Sequence, residues 1–432
     1  WLKASARPSA ADVGAPSAPA CRCSMARGAS AARPARPKMA AEPGGLSMEA
    51  ISSCQALYWV GWSTSSVLIM PRVDRLGRRV PAYALLALGF LVAYASTFIT
   101  SAWSYALCLF CMGTCLPISS MICYLLIIES VPGWCQSAVA TSLNAGFSLL
   151  EVVIAMFCAS DVARDMDWRT ETRLWYSPLV LFLVLGIVFV RDPPKQAGGG
   201  LESAEVARSR DAAGFARLTG PEMRVTMAAT CLCWIAASVS YYGLSYSAGS
   251  LSPNAYVNMM LLGLIDMVAY FAALGLIAPF GPRKAQIVSF VSAGLALFAC
   301  GVLPNSSWAL MGCALVGRFF VNVAFATLYL LLVTCFPVEC RSVASGLANF
   351  FARLSSLVAP FCNLLPVGIC CSLLGLLVLA AAGATSALPE SDEIGCEEDQ
   401  LREAWLSTEP MASSPKMVKS CEVDPAPFLA RL

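Results

Sequence analysis

The stretch "LIMPRVDRLGRRVPAYALLAL", residues 68 to 88, places a dense group of charges between two apolar runs. The charged residues are Arg72, Asp74, Arg75, Arg78 and Arg79. A charged side chain is costly inside hydrocarbon, so a charged joint between long apolar runs is typical of a short loop between two membrane-spanning helices. The stretch therefore predicts an all-α, polytopic membrane protein.

The composition supports the same fold class. The 432 residues are 58% hydrophobic and only 13% charged, and the mean hydropathy of +0.67 lies outside the range of soluble globular domains. Crossing a bilayer takes about 20 apolar residues per helix. Eleven such spans are expected, at about 51–70, 81–100, 103–128, 137–158, 174–190, 225–246, 254–279, 286–303, 308–333, 343–364 and 367–387.

The chain has no histidine, which excludes a catalytic histidine and a Cys/His zinc site. The sequence also shows no paired catalytic carboxylates. We therefore predict that the protein is not an enzyme and that it needs no cofactor or metal. The expected partners are the lipid bilayer and a small-molecule substrate, with no role for nucleic acid.

Basic residues indicate the topology, because they accumulate in cytoplasmic loops. Thirteen basic residues fall in one set of alternate loops, which includes the opening stretch, and three fall in the other. This asymmetry predicts that the opening stretch and the C-terminus are cytoplasmic. It also makes the first span run inward, so one helix is expected to be missing before it.

Repeated sequence features divide the chain into two halves. Gly77 and Gly281 each follow an equivalent span and lie 204 residues apart, while Gln136 and Arg341 lie 205 apart. Near-equal offsets indicate parallel repeats of six helices each. The expected organisation is a disordered or artefactual leader at 1–48, an N-terminal half at 49–190, a cytoplasmic loop at 191–224, a C-terminal half at 225–387 and an acidic cytoplasmic tail at 388–432.

Two six-helix halves, each with a charged loop after its second helix, resemble the major facilitator superfamily. Within it, "WIAASVSYYGLS" (Trp234 to Ser245) is similar to a motif of the organic cation, organic anion and carnitine transporter family, solute carrier family 22. The run from Tyr329 to Phe361 resembles that family's stretch around its eleventh helix. The resemblance implies a major facilitator fold in which about 11 of 12 helices are present, helices two to six in the first half and seven to twelve in the second.

This resemblance also implies gating residues at the cytoplasmic ends of the helices. They are Asp74, Arg75, Gly77, Arg78, Arg79, Glu129 and Arg341. Several family positions differ here, since Thr334 replaces a glutamate, Gln136 an arginine and Leu109 another arginine. A non-transporting membrane scaffold or sensor is therefore kept as an alternative, beside a sugar-porter-like or other major facilitator solute transporter.

Ionisable residues inside spans are candidates for function, because each needs a partner or a cavity. The resemblance implies that Arg353 handles anions, and its guanidinium can hold a carboxylate in bidentate fashion. Arg318 and Asp266 are either substrate contacts or a pair that fixes packing, and Glu151 is expected to neutralise an arginine or to meet a cationic substrate group. Aromatic candidates for substrate contact are Trp234, Tyr241, Tyr242 and Tyr329.

The sequence thus predicts a transporter of small organic ions, whether anion, cation or a zwitterion such as carnitine, that works by alternating access. The expected location is the plasma membrane.

Overall fold

The structure of the protein is a computed structural model that describes residues 6–7, 36–37, 47–69, 79–160, 163, 166–190, 204–221, 223–304 and 307–389. Most of the expected leader, the charged loop at 70–78 and the tail from 390 lie outside the described residues. Within the leader, strand β1 (Ala6–Arg7) pairs antiparallel with strand β2 (Arg36–Pro37).

All other described elements are helical. The α-helices in chain order are α1 (Met48–Leu68), α2 (Arg79–Ser96), α3 (Ala102–Ser130), α4 (Gly133–Ala159), α5 (Trp168–Phe189), α6 (Ala204–Thr219), α7 (Arg224–Tyr246), α8 (Ala255–Ala299), α9 (Trp308–Cys335), α10 (Val338–Ser355) and α11 (Val367–Thr385). Short 3-10 segments follow α7, α8 and α10, at Ser247–Ser250, Cys300–Val302 and Ser356–Leu364. Every expected span coincides with a helix, and the all-α prediction is confirmed.

Helix starts follow from local side-chain chemistry. Four helices begin with a side chain that accepts a hydrogen bond from a free backbone N–H of the first turn, as good N-caps do. Ser47 caps α1, Asp167 caps α5, Asn254 caps α8 and Ser307 caps α9. The capped end of each is the end that the basic residues predict to be extracellular.

Helix α8 contains two of the expected spans and is broken between them. Gly281 has φ 71° and ψ 165°, a backbone conformation that is costly for residues with a side chain. The break divides α8 into a first arm, 255–280, and a second arm, 282–299. Gly281 therefore marks the break between the two spans of α8, at the position where the repeat analysis expected a span to end.

An equivalent contact in each group of helices supports the internal repeat. Arg79, at the start of α2, donates from Nη2 to the carbonyl oxygen of Ile187 near the end of α5. Arg283, which lies 204 residues later, donates from Nη2 to the carbonyl oxygen of Ser386 after α11, at 2.5 Å. Each arginine binds the last turn of a neighbouring helix, where unsatisfied carbonyls favour a cation.

Helices within each group pack closely through glycine. A Cβ on Gly61 of α1 would clash with the carbonyl oxygen of Phe110 on α3, and one on Gly113 of α3 would clash with the carbonyl oxygen of Tyr58 on α1. Small residues at such crossings let helix backbones approach, which is how helices associate in a membrane. Close glycine contacts also join α2 to α3 and α5, and the second arm of α8 to α9 and α11.

The expected loop at 191–224 contains a helix that the sequence did not predict. Helix α6 packs against α10 and α7, and Leu218 at its end is buried in the same apolar cluster as Trp234. The apolar residues of this segment are too few to give a clear helical period, because α6 buries only part of one face. The boundaries predicted for the two halves stay predictions.

Nine of the described helical segments are long and apolar enough to cross a membrane. Helices α1 and α10 are not among them, because α1 contains many Ser and Thr residues and α10 contains Glu339, Arg341 and Arg353. These two helices also contact each other between the halves. Their polar residues therefore lie on helices that meet inside the bundle.

Candidate functional site

Two crossings between the halves lie near the same end of the bundle. Ser52 on α1 donates to the carbonyl oxygen of Pro360, in the 3-10 segment after α10, at 3.1 Å. Helix α4 crosses the first arm of α8 at Gly263, where a Cβ would lie 2.9 Å from Cγ2 of Val152 and 3.2 Å from the carbonyl oxygen of Ser148. Both crossings are near the ends that are predicted to be extracellular.

Arg318 is the centre of a buried polar group that we call the Arg318 cluster, formed by Arg318, Asp266, Tyr241, Ser245 and Asn322. Helical spacing explains how three helices supply it. Tyr241 and Ser245 are four residues apart on α7, and Arg318 and Asn322 are four apart on α9, so each pair shares one face of its helix. Asp266 comes from the first arm of α8 and faces both pairs.

The hydrogen bonds of this cluster satisfy both charges. Arg318 donates from Nε to Oδ1 of Asp266 and from Nη2 to Oδ2, each at 2.7 Å, which is the strong bidentate geometry. Its Nη1 donates to Ser245 Oγ at 2.9 Å and to the carbonyl oxygen of Tyr241. Asp266 also accepts from the Tyr241 hydroxyl at 3.0 Å and from Asn322.

The surroundings of the Arg318 cluster exclude solvent. Arg318 and Asp266 are both 0% exposed, and the guanidinium carbon lies 3.3 Å from the centre of the Tyr241 ring. A substrate would have to separate this pair in order to bind either charge, and separating a buried pair is strongly unfavourable. The geometry supports the packing alternative for Arg318 and Asp266.

Arg353 has different surroundings, which we call the Arg353 cage, formed by Arg353, Tyr242, Trp59, Trp62 and Tyr246. Its Nη1 donates to the Tyr242 hydroxyl at 3.0 Å, and its guanidinium carbon lies 4.1 Å from the centre of the Trp62 ring. The rings of Trp59 and Trp62 stack at 5.3 Å with an interplanar angle of 14°. Trp59 also donates from Nε1 to the Tyr246 hydroxyl at 3.3 Å.

The cage differs from the cluster in two respects that matter for binding. Among the described residues, the partners of Arg353 are a hydroxyl and an aromatic face, and no carboxylate pairs with its charge. Its side chain is partly exposed. The cage also spans the halves, because Trp59 and Trp62 lie on α1 while the other members lie on α7 and α10. The arrangement can offer a cation and flat apolar surfaces to a ligand.

The sequence did not single out Trp59 and Trp62. A signal was present, because the two tryptophans are three residues apart in a helix otherwise rich in small and hydroxyl residues, and this spacing places both on one face. The remaining aromatic predictions are placed differently. Trp234 is fully buried, with its ring 4.8 Å from that of Tyr329, while Tyr329 is 52% exposed and interacts electrostatically with Arg353 and Tyr242.

The predicted gating residues are only partly described. Asp74, Arg75, Gly77 and Arg78 lie outside the described residues, and nothing is described of the side chain of Glu129. Arg79 binds α5 as given above. Arg341 donates from Nε to the carbonyl oxygen of Phe336 at 3.2 Å and so contacts the turn between α9 and α10. In the part of the chain that the structure describes, no cluster of His, Cys, Asp and Glu residues could hold a metal ion.

Comparisons with known proteins agree with this architecture. A family model described as Major Facilitator Superfamily matches residues 22–360. "Solute carrier family 22 member 6" of Rattus norvegicus is 25% identical over 378 residues, covering 78% of this chain and 67% of that protein. "Solute carrier family 22 member 13" of Homo sapiens is 24% identical over 397 residues, covering 85% of this chain and 70% of that protein.

A shorter match has a higher sequence identity. "Organic cation transporter-like protein" of Drosophila melanogaster is 32% identical over 179 residues, which cover 40% of this chain and only 31% of that protein. Among solved structures, a D-xylose-proton symporter superposes with a TM-score of 0.62 at 18% identity, covering 81% of this chain and 90% of that one. The inward open xylose transporter XylE from E. coli gives a TM-score of 0.60 at 16% identity, with coverage of 81% and 88%. At such identities the two structures show the fold alone.

The family match extends over more than half of the chain, and the structural matches share its helical arrangement. The predicted fold class is therefore confirmed, and this multi-pass membrane protein belongs to the Major Facilitator Superfamily of transporters, with solute carrier family 22 proteins among its relatives.

Proposed function

We propose that this protein carries a small organic anion, or the carboxylate end of a zwitterion, across the membrane by alternating access, with Arg353 as the anchor for the negative charge. The observation that carries the proposal is the contrast between the two arginines. Arg318 is fully engaged by Asp266, whereas the described partners of Arg353 are uncharged.

A carboxylate can be accommodated at Arg353 without breaking an ion pair. The bond from Nη1 to Tyr242 joins a charged donor to a neutral hydroxyl, and a substrate carboxylate would make a stronger bond to the same guanidinium. The faces of Trp59 and Trp62 would cover an aromatic or apolar substrate body. This combination favours hydrophobic carboxylates over free sugars or inorganic ions.

The position of the cage supports alternating access. Substrate contacts would come from α1 in one half and from α7 and α10 in the other, so that bound substrate would interact with both halves. In transporters built from repeats, a midplane site between the halves is exposed to each side in turn as the halves rock. The names of the relatives include organic cation transporters, and a cation or zwitterion could use the same tryptophan faces through cation–π contact.

We place the protein in the plasma membrane with its C-terminus in the cytoplasm, on the basis of the basic residues and its relatives. Protease accessibility of a C-terminal tag in intact and permeabilised cells would test the orientation. A tag cleaved in intact cells would contradict it.

Uptake of three radiolabelled probes into cells that express the full chain tests the substrate class. The probes are benzoate as an aromatic carboxylate, tetraethylammonium as a cation and carnitine as a zwitterion. Wild type should take up benzoate or carnitine, and Arg353→Ala should lower that uptake roughly ten- to hundredfold, since a hydrogen bond to a charged group contributes about 1.5–3 kcal/mol.

Arg173→Ala is the matched control. Arg173 likewise donates to a hydroxyl, that of Thr97 at 2.9 Å, and lies over an aromatic ring, that of Phe98 at 4.6 Å, but outside the cage. Its loss should leave uptake nearly unchanged. Equal uptake by wild type and Arg353→Ala would remove Arg353 from the site. Surface-expressed wild type that binds benzoate or carnitine without uptake or exchange would favour the scaffold or sensor alternative, which the replacement of the family glutamate by Thr334 motivates.

A further inference from the structure

Glu151, on α4, lies beside the Arg318 cluster although it belongs to the other half. Helix α4 meets the first arm of α8 at Gly263, where the closest atoms come from Ser148 and Val152. Asp266 is three residues beyond Gly263, on the same face of α8. Glu151, the residue before Val152, is therefore held next to the helix face that carries Asp266.

The electrostatic interactions of Glu151 agree with this position. Its charge acts on Arg318 of α9, on Tyr241 of α7 and on Tyr270 of α8. Asp266 acts on the same three groups. Helix α3 also packs against α4, and its titratable side chains include Tyr105 and Tyr124. At the outer end of α4, Glu171 of α5 accepts from the thiol of Cys158 at 3.0 Å, two turns away from Glu151.

The hydrogen bonds of the cluster indicate which acid exchanges a proton. Asp266 accepts from four donors, two of them on the guanidinium, so its two oxygens are already occupied by hydrogen bonds. Glu151 is a second carboxylate near the same guanidinium. When two carboxylates are close together in a medium of low dielectric constant, uptake of one proton by the pair is favoured. Since four donors already occupy the oxygens of Asp266, the proton would bind to Glu151.

Proton binding at Glu151 would also alter the contact between the halves. The ionised carboxylate is attracted to Arg318, which draws α4 towards α8 and the halves together at this crossing. A protonated Glu151 loses that attraction. Because alternating access requires the crossing to loosen, proton occupancy and the separation of the halves are linked, and each changes the equilibrium of the other.

We propose that Glu151 is a proton-binding site that couples proton movement to the rocking of the two halves. The carboxylate takes up one proton from one side of the membrane and releases the same proton to the other side, and no other bond changes. The coupling to substrate rests on the proposed function. With an organic anion at Arg353 and a proton at Glu151, each transport cycle would move no net charge.

Infrared difference spectroscopy of the full-length protein in lipid, between acidic and neutral pH, tests the proton site without any substrate. Protonation of Glu151 should add a carboxylic acid C=O band, and Glu151→Gln should remove that component. Glu171→Gln is the matched control, because Glu171 is a nearby acid away from the crossing, and it should keep the band. Glu151→Asp retains a carboxyl group, so it should keep a shifted band even if the Gln variant folds poorly. Identical spectra for wild type and the folded Gln variant would overturn the proposal.

A second measurement tests the coupling. Proteoliposomes are given a gradient of one pH unit, which can drive up to about tenfold accumulation in one-to-one coupling because one unit corresponds to roughly 1.4 kcal/mol. Wild type should accumulate benzoate towards that ratio. Glu151→Gln should equilibrate benzoate without accumulation while still exchanging internal for external benzoate. Undiminished accumulation by this variant would overturn the coupling. A titrating Glu151 in a protein that moves none of the three probes would support the proton site and contradict the proposed function instead.

Discussion

Tyr241 and Tyr242 are neighbours in the chain, with ring centres 5.0 Å apart, yet they serve two different arginines. Tyr241 donates to Asp266 in the Arg318 cluster, and Tyr242 accepts from Arg353 in the Arg353 cage. Successive residues on a helix point in directions about 100° apart. The "YY" pair therefore places one hydroxyl inside the C-terminal group of helices and the other at the contact between the halves.

The difference between the two regions shows how position decides the role of a buried charge. In the Arg318 cluster every helix belongs to one half, so its bonds need not change when the halves move. In the Arg353 cage two of the five side chains come from the opposite half, so the proposed rocking of the halves would remake its contacts. A charge within one half can be paired permanently, whereas a charge between the halves is available for a ligand.

The largest expected effect comes from breaking the Arg318 cluster. Arg318→Met leaves Asp266 buried without its guanidinium, which should destabilise the fold by about 3–5 kcal/mol. We expect poor expression and a much lower thermal unfolding temperature in detergent. Fluorescence-detected size-exclusion chromatography after heating measures both.

The double variant Arg318→Met with Asp266→Leu provides the control. Because apolar replacements of a buried pair are often neutral or stabilising, the double variant should recover most of the lost stability and retain gradient-free uptake. A double variant that is as unstable as the single one would show that hydrogen bonds to Ser245 and Asn322, and not the unpaired charge, dominate the cluster.

A smaller effect is expected in the cage. Trp62→Ala removes the aromatic face beneath Arg353, a contact that contributes about 0.5–2 kcal/mol, so the apparent affinity for benzoate should fall by a few-fold to roughly thirtyfold. Trp62→Phe keeps a face and should lose less. Uptake as a function of benzoate concentration separates affinity from maximal rate.

Trp175→Ala is a suitable control for this variant, because Trp175 contacts Phe157 at 5.3 Å elsewhere in the same half. Its removal should leave the affinity unchanged. If both tryptophan variants weaken uptake equally, the effect of Trp62 would reflect packing of the N-terminal half and not the cage.

The sequence predicted the helices well because the apolar residues that define each span are contiguous in the chain. Apolar runs located the expected spans, although α1 and α10 are less apolar than the others, and equal offsets located the break at Gly281. The pairing of Arg318 with Asp266 could not be derived in the same way, since the two residues are 52 positions apart and meet only for one rotation of each helix. The sequence left their role open between substrate contact and packing for that reason.

The Arg353 cage was predicted only in part, again because its side chains come from distant positions in the sequence. Arg353 and Tyr242 stood out because one is a charge inside a span and the other belongs to a motif. Trp59 and Trp62 belong to α1, whose Ser and Thr residues drew attention away from its aromatic residues. Their contact with Arg353 depends on α1 facing α10. Helix α6 was missed because a short amphipathic segment with few apolar residues gives a weak period.

The smallest effect is expected from Tyr242→Phe, which removes one hydroxyl and keeps the ring. In the absence of substrate, Arg353 of this variant loses its 3.0 Å hydrogen bond to Tyr242. A hydrogen bond to a charged donor contributes about 1.5–3 kcal/mol, and its loss costs less where the guanidinium remains hydrated. If a substrate carboxylate displaces this hydroxyl, the free state is destabilised more than the bound state. Tyr242→Phe should then bind benzoate a few-fold more tightly in a competition assay.

Tyr241→Phe, which removes the hydroxyl bound to Asp266, is the control and should lower thermal stability while leaving benzoate affinity unchanged. Weaker binding by Tyr242→Phe would mean that the hydroxyl itself contacts the substrate.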